Sequence, residues 1–201
     1  MKRGCLIGVV VLAGLVILGL GLFSFFTGRY NTMVQKQEQV NSAWAQVENV
    51  YQRRLDLIPN LVETVKGVAN FEQETYTAVA EARSKAGQVR IGADVVNDPE
   101  AFKRFQSAQG EVSSALSRLL VAVERYPELK ANQNFLELQS QLEGSENRIA
   151  VERRRFNEVA QDFNATIRQI PNNIVAALGH FTPKPYFEAV EGAERAPKVQ
   201  F

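Results

Sequence analysis

From Val40 onward, apolar residues recur at alternating three- and four-residue steps: Val40, Trp44, Val47, Tyr51, Leu55, Ile58, Val62, Val65, Ala69, Tyr76 and Val79. That spacing keeps them on one face of a helix. With Glu72 as the one polar interruption, the stripe predicts a helix from about Tyr30 to Ala86, stopped by Gly87. At about 1.5 Å per residue, its roughly 55 residues would reach about 80 Å. Residues 87–98 hold two glycines and no stripe, and read as a loop. A second stripe (Phe102, Phe105, Gln109, Val112, Leu116, Leu119, Val123, Tyr126) follows Asp98, Pro99 and Glu100, the residues of an N-cap, first helical position and first turn. Pro127 ends it. A third stripe runs through Phe135, Leu138, Leu142, Ser145, Ile149, Glu152, Phe156, Val159, Phe163, Thr166 and Ile170 to Pro171. Residues 173–179 predict a short helical turn with Ile174, Val175 and Leu178 facing inward. Alternation of strand length is absent from the sequence, so the expected fold is all-α, with three long helices packing as antiparallel neighbours.

The N-terminal pattern differs. Residues 5–26 are uncharged and rich in Leu, Val, Ile, Gly and Phe. About 22 such residues span a hydrocarbon core of roughly 30 Å. The run is long for a signal-peptide core, and no small-x-small cleavage site separates it from Arg29 and Tyr30, so an uncleaved membrane anchor is expected. Cys5 precedes the apolar run, which argues against a lipoprotein. Lys2 and Arg3 flank one end, Arg29 and Lys36 the other, so the charge bias towards an inside N-terminus is slight. Gly4 and Gly8 form a small-xxx-small pair, a candidate helix-packing face in the membrane. No Gly/Pro/Ser-rich linker follows the span, so its helix should run on into the first stripe, with Gly28 the soft point.

After Pro171 the chain gains Pro183, Pro185 and Pro197 together with Phe181, Tyr186, Phe187 and Phe201. Prolines oppose a long helix, and aromatics oppose a free, disordered tail. The tail is expected to lie extended along the helices or to dock on a partner.

Composition adds mainly exclusions. With 23 basic and 22 acidic residues, the chain has no global field for nucleic acid. Arg153, Arg154 and Arg155 form a basic cluster, but Glu152 and Glu158 flank it. The single Cys5 and single His180 offer neither a disulfide nor a His-rich metal site. HExxH, Gly-x-Ser-x-Gly, P-loop and CxxC motifs are all absent, so no catalytic residue, cofactor or metal ligand is assigned.

The informative residues are polar ones in or beside the apolar seams. Gln109, Ser145, Glu152 and Glu72 fall on seam positions, and Arg53 and Arg54 border the first stripe within RRLDLIPNLVETVKG. A charge in such a core is costly unless paired. Glu152 is therefore expected to meet Arg53 or Arg54, a lock that would fix helix register. Pro59 lacks an amide hydrogen, which frees the carbonyl of Leu55 one turn earlier. A kink is expected there, with Asn60 or an arginine as the compensating donor and Asp56 part of the same polar stretch.

YNTMV after the span, RRLDLIPNLVETVKG, LSRLLVAVERYPELKANQNFLELQSQLEGSENRIAVERRRFNEV and the terminal KPYFEA…APKVQF together resemble the LemA family of bacterial proteins, over nearly the whole chain. The resemblance implies an N-terminal transmembrane helix, an elongated helical bundle, and no established enzymatic activity. Relatives associated with magnetosome formation imply a link to membrane organisation. It also implies a short N-terminus outside, opposite to the charge bias, so both orientations stand. The expected organisation is a membrane anchor over 1–28, a LemA-like bundle of three long helices and a short fourth segment over 29–179, and an extended Pro/aromatic tail over 180–201. The expected partners are the bilayer through residues 5–26, unidentified proteins and further copies of the chain. The expected role is a non-enzymatic, single-pass scaffold or adaptor in the bacterial cell membrane, or else a sensory module coupling the span to a partner, with an enzyme the distant third reading.

Overall fold

A computed structural model describes residues 2–68, 71–89 and 92–188. Six α-helices follow in order: α1 Lys2–Lys66, α2 Gln73–Gln88, α3 Pro99–Val123, α4 Pro127–Lys130, α5 Gln133–Arg168 and α6 Asn172–Leu178, with a 3₁₀ helix at Ala93–Asn97 between α2 and α3. The described residues contain no strand.

Helix α1 is 65 residues long, so it extends for roughly 100 Å. It passes through Gly28 without a break. Its N-terminal part is strongly apolar and is not buried against the rest of the chain. By length and composition this stretch can cross a membrane. Beyond Tyr30 the helix buries Met33, Val40, Trp44, Val47, Tyr51, Leu55, Ile58, Leu61, Val62 and Val65.

The predicted continuation to Ala86 is corrected. The helix stops at Lys66, and the chain turns through Gly67, whose amide donates to Glu63 O at 3.2 Å. Helix α2 then folds back along α1, so that Arg83 lies beside Leu55. Two helices on either side of a turn can face one core and keep the same apolar phase, which is why the stripe read as one. Glu72 is no seam residue: it sits at the N-cap position of α2, exposed, and pairs with Arg125 at 2.8 Å. The packed body therefore has four legs instead of three, the second being α2 with the 3₁₀ helix. Within the stretch read as loop, Val95 and Val96 are core residues.

The start of α3 is as expected: Asp98 Oδ1 accepts the amides of Glu100 (2.9 Å) and Ala101 (3.2 Å). Asn132 caps α5 in the same way, accepting from Asn134 and Phe135. Helix α5 runs back along α1, with contacts from Leu142 near the turn end to Asp162 beside Lys36. Ten residues separate Trp44 from Arg54 on α1, and ten separate their α5 partners Phe156 and Glu146. The two helices therefore stay in step for about 15 Å between these contacts.

Helix α6 lies at the end from which the apolar part of α1 emerges. Val175 and Ala176 face inward, but Ile170, Ile174 and Leu178 are exposed, against the inward facing predicted for them. Of the segment 180–201, residues up to Glu188 are described. Phe181 packs on Tyr30 and Phe163, and the chain then climbs α5 in extended form. Asn164 brackets Lys184, accepting its amide at 2.7 Å and donating to its carbonyl at 2.9 Å. Asn157 does the same for Phe187, with both bonds at 2.9 Å. The spacing fits: seven helical residues rise about 10.5 Å, and three extended residues about 10 Å. Phe187 thereby enters an aromatic cluster with Trp44, Phe102 and Phe156.

Replacing Asp98 with Ala should cost about 1 kcal/mol, the usual worth of an N-cap. Chemical denaturation measures it, and an unchanged midpoint would contradict the assigned cap.

Candidate functional site: a polar layer across the core

The buried apolar side chains form two clusters. One runs from Leu55 to the α1–α2 turn and includes Ala108, Val112 and Leu142. The other, nearer the apolar segment, includes Trp44, Tyr51, Phe105 and Ile149. Between them lies a layer of polar side chains, and Arg54 is its centre, only 1% exposed. Its Nη1 donates to Ser113 Oγ at 2.8 Å and to Glu146 Oε1 at 2.7 Å. Its Nη2 donates to the Gln109 carbonyl at 3.2 Å and to the Gln109 side-chain oxygen. The guanidinium also lies 5.1 Å from the centroid of the Tyr51 ring. One side chain thus ties α1 to α3 and α5. Ser145, also buried in the layer, donates back to Gln141 O.

Arginine suits this position because its charge is delocalised and its fork offers several donors. Glu146 keeps 43% of its side chain exposed, so the pair is half in solvent. Such a pair adds little net stability, yet removing one member strands a buried charge or its polar partners. The layer therefore specifies alignment more than it adds stability.

The expected counter-charge is corrected. Glu152 does not meet Arg53 or Arg54; it is half-buried, with one carboxylate oxygen shielded and without a hydrogen-bond partner. Geometry explains this. In the α1–α5 register Glu146 stands opposite Arg54, and Glu152 is six residues, about 9 Å, further along. Glu152 is level with Glu48, which also carries a shielded, unbonded carboxylate oxygen. Burial pushes the Glu48 carboxyl above its ordinary range; the Trp44 indole N–H one turn back offsets part of this without reaching hydrogen-bond geometry. Burial likewise raises the Tyr51 phenol, against the pull of Arg153 and Arg54.

The remaining candidates separate. Arg53, Asp56, Pro59 and Asn60 are exposed. Asp56 accepts from Gln52 on its own helix at 2.7 Å. Pro59 lies inside α1, which continues through it. The freed carbonyl of Leu55 is answered by Arg83 of α2, whose Nε donates to it at 2.9 Å. Neither Asn60 nor the neighbouring arginines fill that role. Gly4 lies within α1, and Gly8 has nothing within 4 Å of where a Cβ would stand.

Sequence reasoning missed Glu146, Ser113 and Arg83. Glu146 needed the antiparallel α1–α5 register, which the structure sets through Trp44 and Phe156. Arg83 was hidden by reading α1 and α2 as one helix.

A second feature is an open groove of about 570 Å³ between α5 and the 186–188 segment, lined by Arg153, Arg154, Asn157, Glu158, Gln161, Tyr186, Phe187 and Glu188. Arg153 closes one side, 4.7 Å from the Phe187 ring centroid and donating to Glu188 O at 2.8 Å. Among the described residues, no cluster of His, Cys, Asp and Glu has the arrangement of a metal site.

The chain matches the sequence profile of the LemA family over residues 43–201. It is 27% identical over 161 residues to Protein LemA of Metamycoplasma hominis, covering 80% of this chain and 69% of that protein. It is 26% identical over 176 residues to Magnetosome protein MamQ 2 of Paramagnetospirillum magneticum, covering 80% and 65%. With Magnetosome protein MamQ of Magnetospirillum gryphiswaldense it shares 27% identity over 192 residues, covering 86% and 71%.

Three outcomes follow. Arg54→Ala should destabilise the fold by about 1–3 kcal/mol by stranding Gln109 and Ser113, while Arg53→Ala stays within about 0.5 kcal/mol; urea titration separates them. Arg83→Ala should cost about 1 kcal/mol, and less in a Pro59→Ala background, where a restored amide serves the Leu55 carbonyl; equal costs in the two backgrounds would contradict the assignment. For Glu48, the raised folded pKa means that stability falls as pH climbs from the ordinary carboxyl value through the folded one. Glu48→Gln should therefore be more stable than wild type at neutral pH, with the gap closing in acid.

Proposed function

The chain belongs to the LemA family, and we propose that it is a single-pass membrane protein whose helical bundle serves as a scaffold or adaptor beside the bilayer. The observation that carries this reading is α1: one helix holds both an exposed apolar stretch and the longest strip of the packed core. A bundle built on such a helix has its position fixed relative to the membrane, as a docking platform needs. The polar layer supports the same role, since it favours one helix alignment over others. Similarity to magnetosome proteins supports work in organising a cellular structure. The open groove beside Phe187 and the span around exposed Gly8 are the surfaces we assign to partner proteins and to self-association. The role is a non-catalytic one, in the bacterial cell membrane.

The continuity of α1 also favours a second reading, a sensory module that passes a rotation or shift of the span into the bundle. The two differ in what a phase change does. Inserting two residues at Gly28 turns the bundle by roughly 200° about the span while leaving it folded. A scaffold should keep its cross-linked products in membranes after this insertion, with only their relative yields altered. Complete loss of those products with an intact, membrane-retained protein would favour the sensory module. Release of the full-length chain by alkaline carbonate would contradict both.

A further inference from the structure

Helix α6 presents an unusual surface for the end of a packed helical body. Ile170 is 84% exposed, Ile174 54% and Leu178 72%, and they follow one another at steps of four. Within α6 the four-residue step from Ile174 to Leu178 puts both on one side, while Val175 and Ala176 hold the other side against the core, and Ile170 stands in the turn just before the helix. We propose that this face is a second, non-spanning membrane contact: an apolar foot that rests in the headgroup layer of the bilayer crossed by α1. The inference rests on the membrane anchorage proposed above.

Position is the first argument. The Tyr30 and Phe181 rings pack with centroids 5.4 Å apart, and a Cβ on Gly179 would stand 3.1 Å from the Tyr30 ring. Tyr30 follows the last exposed phenylalanine of the apolar run, Phe26, by four residues, an axial rise of about 6 Å. The polar layer on each side of a hydrocarbon core is roughly 5–8 Å thick. Helix α6 therefore lies at headgroup depth. It also crosses the end of the body, because α5 arrives at Arg168 and the extended segment leaves from Phe181. Its outer side is the one turned away from Val175 and Ala176, and so away from the core.

Charge is the second argument. Residues 163–187 and 23–37 contain no Asp or Glu, but they hold Arg29, Lys36, Arg168 and Lys184. Lys36 is paired with Asp162, and Lys184 is buried against Asn97, which leaves Arg29 and Arg168 as the exposed cations. Arg29 lies 5.3 Å from the Phe25 ring centroid, along the end of the span. An apolar patch rimmed by cations without anions is complementary to an anionic lipid surface. Seating the foot would also set the tilt of the span, which a lone helix leaves free.

The test uses the full chain with Cys5→Ser, in vesicles of phosphatidylcholine and phosphatidylglycerol containing lipids spin-labelled near the headgroup or deep in the acyl chain. A bimane fluorophore is placed at Leu178→Cys, with Val16→Cys in the span and Val121→Cys on exposed α3 as references. Shallow-label quenching at position 178 should exceed that at 121 several-fold. Adding Ile174→Asp, a change at an exposed site, should lower it without altering the circular dichroism. Quenching at 178 equal to that at 121, with position 16 quenched by deep labels, would overturn the foot and leave the anchor standing. An unquenched position 16 would remove the anchor, and the foot with it. Protection of 178 from aqueous iodide without lipid quenching would assign the face to a second copy of the chain, and would also overturn it.

Discussion

If α1 crosses the bilayer as proposed, one backbone has to satisfy two solvents. In a hydrocarbon layer, unpaired peptide groups cost several kcal/mol each, so a single spanning segment must be helical. The same helix then has to present a core face to three other legs of the body. Because α1 passes from one setting to the other with no interruption of its hydrogen bonding, its rotation in the first setting dictates its rotation in the second. Most later elements are placed against this rod. Helices α2 and α5 lie along it, α3 reaches it through the guanidinium of Arg54, and the 181–188 segment is tied to it through Phe181 and Phe187.

A rod of this length needs something that stops its neighbours sliding. Apolar stripes alone do this poorly, because a shift of one helical turn replaces one hydrophobic contact with another. The layer around Arg54 does it well. Guanidinium, carboxylate, amide and hydroxyl meet at one height only, and misalignment would bury unpaired polar groups. The two aspargine brackets on α5 apply the same logic to the extended segment, fixing which residue of that segment stands beside the Trp44 cluster.

Much of this was legible in the residue pattern. The apolar run, the stripes of α3 and α5, the cap at Asp98 and the buried polar positions Gln109 and Ser145 all follow from local chemistry, and the structure places them accordingly. What was not legible depended on the third dimension. A helical stripe carries no sign of a reversal when the two helices keep phase, so α1 and α2 read as one, and Arg83 was lost as the donor to Leu55. The partner of Arg54 needed the α1–α5 register, which no short motif encodes. Ile170, Ile174 and Leu178 continued a stripe in sequence but left the core in space, because α5 ends at Arg168 and the separate α6 turns Val175 and Ala176 to the core instead.

The account turns on α1 being one rigid helix across the level of Gly28. Native-state hydrogen exchange on the full chain in lipid nanodiscs measures this directly, residue by residue. The continuous helix predicts protected amides from the end of the apolar run through Gly28 and Arg29 to Met33, with no gap. Rapid exchange confined to the amides around Gly28, between a protected span and a protected body, would show a flexible joint and contradict the account.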